Sequence, residues 1–496
     1  MRCFSKVVIF SMLLLGACAA SPKPADLIET QRQTKSARPQ LIVLTDIGNE
    51  PDDAESLVRL LLYTNEIDLK GIAAVTSRHL PATVNPQLIE ERVDAYEEVF
   101  ENLKVHDARY PDAIYIRQNI VTGHPTYGMT GVGEGFESSA SQLIIDTVDK
   151  SDDAPVWVSV WGGASTLAQA LWTVRETRSS DELVDFLSKL RVYSISDQDD
   201  AGPWARSQFP SLFWVSDVHG FTQYRLATWT GISRAVPGAD QKTVSLDWLS
   251  KHIIDQGPLG KLYPPPAYIV EGDTPSFLNL IPNGLSDPER PDWGGWGGRY
   301  EKMAAFLGLW TTTFDSLRGD GGQSFSSPQA TIWRWREAFQ NDFASRIQWS
   351  QISDFAQANH APEIILNGED GFAPVYIDAC PGEEIVLSAT GSSDPDGDAL
   401  DIRWFWYREA GGRFAPEVTL SDTVGADTHV KIAGTAKVDQ FTPPAEYNLH
   451  VIAQITDAGS PALTRYRRAI INLPGLADPS AVIGDECAVI PIQPSH

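Results

Sequence analysis

Leu41-Ile42-Val43-Leu44-Thr45-Asp46-Ile47-Gly48-Asn49-Glu50-Pro51-Asp52-Asp53 passes from an unbroken apolar run into an acidic turn, and a second apolar stretch, Ala54 to Leu62, follows at once. A short apolar run without polar alternation reads as a strand covered on both faces. Residues 53–64 read as the helix that follows it. A strand, a sharp turn and a helix in immediate succession form the opening unit of a parallel α/β sheet. Asp46, Glu50, Asp52 and Asp53 crowd into the turn, where uncompensated charges repel one another in low dielectric. Two readings accommodate them. The turn faces water and caps the helix, with Asp52 and Asp53 at the positive end of the helix dipole. Alternatively it holds a hard cation, for which Asp offers oxygen on a short arm.

The alternation continues along the chain. Residues 71–75 read as a strand and 86–103 as a helix; 156–161 and 165–174 repeat the pattern; 191–196 and 212–216 read as further strands. The expectation for residues 39–358 is a mostly parallel sheet with helices on both faces. After about residue 360 the rhythm changes to short strands, at 384–389, 401–407, 447–455 and 465–471, separated by turns rich in Gly, Pro and Asp. That predicts an immunoglobulin-like β-sandwich over 359–475 and a tail over 476–496. The loop Ser393-Asp394-Pro395-Asp396-Gly397-Asp398 is either a Ca²⁺ loop or an acidic turn in which Gly supplies a positive φ.

The 496 residues carry a formal net charge of -26, which argues against nucleic acid as a partner. Fifteen Trp and fourteen Tyr provide flat amphipathic faces of the kind on which sugar rings stack. At the N-terminus, Arg2 and Lys6 precede the apolar run Val7 to Leu15, too short to span a bilayer, which marks residues 1–17 as an export signal. Leu15-Gly16-Ala17-Cys18 resembles the bacterial lipoprotein cleavage box. On that reading Cys18 carries lipid, residues 18–38 are a polar tether, and the protein is an outer-membrane lipoprotein, periplasmic or cell-surface. A plain secretory cut near Ala19 or Ala20 is the alternative. Cys380 and Cys487 then remain in an oxidising compartment as a disulfide pair.

Each predicted strand of the first region ends in polar residues. Asp46, Asp52 and Asp53 follow the first; Thr76, Ser77, Arg78 and His79 the second; Gly162-Gly163-Ala164-Ser165 the third; Asp197, Gln198, Asp199 and Asp200 the fourth. In a parallel sheet these turns share one edge, where ligands bind.

At this point the residues resemble a family. Asp46 with Asp52-Asp53 is similar to the acidic fingerprint of nucleoside hydrolases, which bind Ca²⁺ and cleave ribosyl bonds. The closer resemblance is to the nucleoside-hydrolase-like domain of bacterial surface proteins described as cellulose-binding. Thr45 to Asp53, Val160-Trp161-Gly162-Gly163, Ser196 to Asp200, Gly272-Asp273-Thr274-Pro275-Ser276-Phe277, Trp293-Gly294-Gly295-Trp296-Gly297-Gly298-Arg299-Tyr300, Trp333-Arg334-Trp335-Arg336 and Phe339 to Phe343 carry it. The resemblance implies Asp46 as Ca²⁺ ligand and general base, Asp53 as second carboxylate ligand, the Ser165 carbonyl and Asp342 as further ligands, and Asp52 on a sugar hydroxyl. Trp161, Trp296, Asn341 and Asp199 are the other expected substrate contacts. Three departures stand out. Leu44 replaces an earlier Asp, two extra residues separate Asp46 from Asp52, and Asn341 stands where some nucleoside hydrolases use a His as leaving-group acid. Asn cannot donate that proton; Asp199, Asp200, His79 and His219 are the substitutes at hand. The Trp293–Trp296 segment is either a stacking platform or core.

The function expected is Ca²⁺-dependent hydrolysis of a glycosidic or N-ribosyl bond in a furanosyl or related sugar, through an oxocarbenium-like state. The ligand is a carbohydrate or nucleoside-like small molecule, and the membrane is met through the lipid anchor. The alternative is a non-catalytic carbohydrate- or cellulose-binding surface protein that uses the same cleft or the β-sandwich.

Overall fold

The apolar run at residue 41 lies at the centre of the molecule. In the computed structural model, described for residues 38–152, 154–221, 223–234, 236, 238–318, 322–411, 416–434 and 448–473, it is strand β1 (Gln40–Thr45). Alternate residues enter different cores. Leu41 and Val43 join one apolar cluster and Ile42 and Leu44 another, so both faces are covered. This two-sided burial explains why the run shows no polar alternation.

Helix α1 (Asp52–Leu61) and strand β2 (Asp68–Ala74) come next. Helices α2 (Pro86–His106) and α3 (Ala113–Gln118) lead to the short β3 (Ile120–Thr122). Then follow α4 (Ser139–Lys150), β4 (Val156–Val160), α5 (Ser165–Thr177), α6 (Ser180–Lys189), β5 (Leu190–Ser194), α7 (Ala201–Gln208) and β6 (Phe213–Ser216). With β7 (Tyr300–Lys302) and β8 (Leu309–Thr312) these strands form one eight-stranded sheet, ordered β3-β2-β1-β4-β5-β6-β8-β7. Only β7, at the edge, runs antiparallel to its neighbour. A small pair, β9 (Asp315–Arg318) and β10 (Ser324–Ser327), stands apart, and helix α8 (Arg336–Trp349) packs into the first core.

The chain leaves β1 towards β2 and β3, then returns to place β4 on the other side of β1. The connections therefore diverge between β1 and β4, and such a switch point opens a crevice at the carboxyl ends of the strands. Asp46 follows one of these strands and Gly162 the other.

The C-terminal strands form two antiparallel layers in the main. One is β11 (Val375–Asp378), β17 (Thr464–Asn472), β16 (Asn448–Asp457) and β13 (Leu400–Trp406); the other is β12 (Glu384–Ser388), β15 (Asp427–Ile432) and β14 (Val418–Leu420). Leu387, Trp404, Val430, Val451 and Ile471 fill the space between them, as in a β-sandwich. Strand β16 is covered on both sides. Leu449, Val451 and Ala453 face the sandwich core, while Ile452 belongs to the first core together with Tyr466 and Trp335. Arg468 donates to the carbonyls of Leu285 at 2.6 Å and Trp293 at 3.1 Å, and Arg465 pairs with Asp342 at 2.8 Å. From Pro39 onward the chain is one compact unit. No helix among the described residues is long and apolar enough to cross a membrane. Cys380 is disulfide-bonded. Cys18, Cys487, the export signal and the 476–496 tail lie outside the described residues.

Candidate functional site

Asp52 and Asp53 open α1, and their backbone position follows from the strand-turn-helix succession. Thr45, the last residue of β1, donates its hydroxyl to Asp53 Oδ1 and also holds the Ile47 N–H at 3.1 Å. The strand end thus sets the carboxylate of the helix start. Ser77, after β2, donates to Asp46 Oδ2.

A further carboxylate reaches the same place from a distant part of the chain. Glu55 accepts the Glu271 N–H at 2.7 Å, and Arg59 forms a buried ion pair with the Glu271 side chain. Both Glu55 and Arg59 lie on α1, so the helix that carries Asp52 and Asp53 also grips the loop that carries Asp273. One oxygen from each of Asp52, Asp53 and Asp273 lies within 4.8 Å of the others. Two glycines permit the close approach. A Cβ on Gly162 would stand 2.8 Å from Asp46 Oδ1, and one on Gly272 would stand 2.8 Å from Asp52 Oδ2.

Asp46, Asp52, Asp53 and Asp273 line an open cleft of about 500 Å³ together with Asn49, Glu50, His79, Gln198, Tyr224 and Trp229. Burial pushes the Asp46 carboxyl up to about 6 and that of Asp52 to about 7, the latter helped by Glu50 and Asp46. Burial and the neighbouring carboxylates drive Asp53 and Asp273 well above the usual range. Asp273 Oδ2 is buried without a hydrogen-bond donor. Converging carboxylates with an unmet oxygen suit a hard divalent cation, whose charge offsets both the desolvation and the mutual repulsion.

The other expected site residues fall elsewhere, with a physical reason in each case. Asp342, expected as a metal ligand, is saturated: Arg346 and Tyr63 donate to Oδ1 at 2.8 and 2.7 Å, and Arg465 to Oδ2 at 2.8 Å. The two arginines hold its carboxyl well below the ordinary range despite burial. Asn341 donates to the Ala462 carbonyl at 3.1 Å and does not line the cleft. Trp161 is fully buried, its N–H directed at Ser159 and Ser276. Trp296 is fully buried against Phe339 in the first core, so the Trp-Gly-Gly-Trp segment is core and no stacking platform. Asp199 accepts the backbone N–H groups of Ser165 and Ala201 at 3.1 and 3.0 Å and shapes the turn into α5 without lining the cleft. Ser165, the first residue of α5, is buried and does not line the cleft. Of the proposed substitute acids only His79 faces the cleft.

Sequence reading missed Asp273 as a site residue, along with the aromatic wall of Tyr224 and Trp229. Asp273 had one signal: an Asp between Gly272 and Thr274-Pro275, at the start of a short helix (Pro275–Leu278).

Residues 40–300 match the family model for the nucleoside hydrolase-like domain of cellulose-binding Sde182, and residues 384–473 match the C-terminal domain of cellulose-binding protein Sde0182. A solved structure of a nucleoside hydrolase-related hypothetical protein from Saccharophagus degradans, described as associated with carbohydrate metabolism, is 36% identical. It aligns over 88% of this chain and 100% of its own, with a TM-score of 0.74. The effector protein XOO4466, at 11% identity and a TM-score of 0.30, carries no inference. None of the curated proteins matches the chain.

Proposed function

The chain belongs to the cellulose-binding Sde182 family with its nucleoside hydrolase-like domain, and from that premise we propose a Ca²⁺-dependent hydrolase acting on the glycosidic or N-ribosyl bond of a furanosyl or related sugar. The observation that carries this reading is the convergence of Asp52, Asp53 and Asp273 beside Asp46 in an open cleft. Asp52, Asp53 and Asp273 would hold the ion, with Asp46 beside it. Calcium would supply positive charge that lowers the pKa of a water at the cleft floor. Asp46, with a carboxyl near 6 and its Oδ2 fixed by Ser77, accepts a proton from that water. Asp52 and Glu50 accept sugar hydroxyls, and their charge favours a cationic sugar in the transition state. Trp229 and Tyr224 offer apolar faces to the ring. His79 is the cleft residue able to protonate a leaving group.

One observation favours the second reading, a carbohydrate-binding protein that does not cleave its ligand. Asn341, at the place of the leaving-group acid, is committed to Ala462 outside the cleft. The test is turnover of aryl furanosides, nucleosides and oligosaccharides, with and without EDTA. Release that EDTA and Asp46→Asn both abolish supports the hydrolase. Binding of an insoluble glucan without turnover of any compound refutes it. We further propose export and outer-membrane anchoring through Cys18; labelled fatty acid that still incorporates into Cys18→Ala would overturn this.

A further inference from the structure

Outside the acidic cleft, the buried oxygens without a hydrogen-bond donor include Asn359 Oδ1, Asp394 Oδ2 and Asp457 Oδ2. They belong to one neighbourhood. Asn359 Nδ2 donates to Asp457 Oδ1 at 3.1 Å and to the Pro461 carbonyl at 2.8 Å, which fixes the orientation of the amide. The segment that begins at Asn359 runs beside the 393–398 loop. The His360 N–H meets Asp396 Oδ2 at 2.6 Å, and Glu363 and Ser393 exchange backbone hydrogen bonds at 2.8 and 3.0 Å. Burial raises the Asp457 carboxyl, with a smaller push from the nearby Asp394 carboxylate.

The two carboxylates share a pattern. Asp457 Oδ1 is saturated by Asn359 Nδ2 and by the N–H groups of Gly459 and Leu463, both at 2.9 Å. Asp394 Oδ1 accepts the N–H groups of Asp396 at 2.9 Å and Asp398 at 3.1 Å. In each, one oxygen is anchored by the backbone and the other is left bare in a protected site. Leaving buried acceptors unmet costs stability unless something satisfies them. Asp457 and Asn359 are themselves 4% and 7% exposed, so bulk water does not do so. Nitrogen is not on offer: His360 Nδ1 lies 3.1 Å from Asp396, and Nε2 lies 3.0 Å from His106.

We propose that Asp394, Asp457 and the Asn359 side-chain oxygen form a second calcium site, separate from the cleft, that ties the 393–398 loop and the 457–464 hairpin to the segment after α8. An all-oxygen donor set suits a hard cation, and two carboxylates balance its charge. The ion joins segments that meet only in the tertiary structure, so its binding stabilises the junction between the α/β region and the β-sandwich.

The experiment is ion stoichiometry by equilibrium dialysis against CaCl2 on the full chain. The wild type should hold two ions, Asp273→Asn one and Asp394→Asn one. Asp394→Asn keeps the oxygen that accepts the two backbone N–H groups, so the loop should persist. Hydrogen exchange should show calcium-dependent protection of 457–464 in the wild type and in Asp273→Asn, and its loss in Asp394→Asn. Equal stoichiometry in the wild type and Asp394→Asn overturns the proposal, as does an Asp273→Asn protein that binds no calcium. If the cleft holds no ion, the wild type and Asp273→Asn both bind one and Asp394→Asn none, which separates failure of the cleft reading from failure of this one.

Discussion

Replacing Asp273 with Asn tests the cleft more sharply than any other single change. The three carboxylate oxygens lie within 4.8 Å of one another. At an effective dielectric of about 20, each ionised pair then repels by at least about 3.5 kcal/mol, and Asp273 takes part in two of the three pairs. Without an ion the cluster avoids this energy by taking up protons; with an ion it becomes the source of affinity. Asp273→Asn keeps the size of the side chain and removes one ligand charge. At one hundred times Kd, calcium stabilises the wild type by about 2.7 kcal/mol. Unfolding entropy of about 2.1 cal/mol/K per residue over Pro39–His496 makes 1 kcal/mol worth about 1 °C, so the expected rise in Tm is about 3 °C. A hundredfold loss of affinity leaves about 0.4 kcal/mol and under 1 °C at the same calcium concentration. In EDTA the variant should be no less stable than the wild type, because a buried oxygen without a donor has been exchanged for an amide that donates. Differential scanning calorimetry in EDTA and in CaCl2, with Asp394→Asn present in both proteins so that the second site adds no calcium response, reads both quantities. A variant that keeps the full 3 °C shift, or that is destabilised in EDTA while the wild type shows no calcium response, refutes the reasoning.

Three further outcomes are expected. Calcium affinity at the cleft rises as pH increases through about 6 to 7, because Asp46 and Asp52 release competing protons there; titration calorimetry at pH 5.5 and 8 reads it. In EDTA the same raised carboxyls act in the opposite direction: their contribution to folding is fully present below the unfolded value of 3.8 and is lost as pH rises through the folded values. Asp342→Asn leaves Arg346 and Arg465 without their shared buried partner and should cost about 3 to 5 kcal/mol by chemical denaturation, with calcium stoichiometry unchanged in the folded protein. Because its carboxyl is depressed, the wild-type contribution of Asp342 is present above the unfolded value of 3.8 and is lost as pH falls through the folded one. Gly162→Ala places a Cβ 2.8 to 3.0 Å from Asp46 and should abolish turnover in the aryl furanoside assay while the far-UV spectrum stays native.

The β1 run could be read from sequence because burial on both faces removes polar alternation, and its acidic turn because four carboxylates in eight residues have few physical explanations. The strand ends could be read because a parallel sheet sends them all to one edge. Asp342 misled because the resemblance offered it as a late Asp ligand and the neighbours that claim its carboxylate are not visible in the sequence. Its partners Arg346 and Arg465 are the fourth and the one hundred and twenty-third residues after it, and only the first pairing is visible along a helix. Trp296 misled similarly. Glycines on both sides suggest an exposed ring, yet here they let the backbone pass close to buried neighbours.

Local sequence determined the strand, the turn, the helix and the presence of carboxylates at the switch point, since those depend on residues within a few positions of one another. Which carboxylates meet was decided by tertiary structure. Asp273 reaches Asp52 and Asp53 because Glu55 and Arg59, buried on α1, bind Glu271 across more than two hundred residues. That contact is an ion pair and a hydrogen bond formed in the core, and its strength depends on water being absent from a place the linear sequence cannot specify.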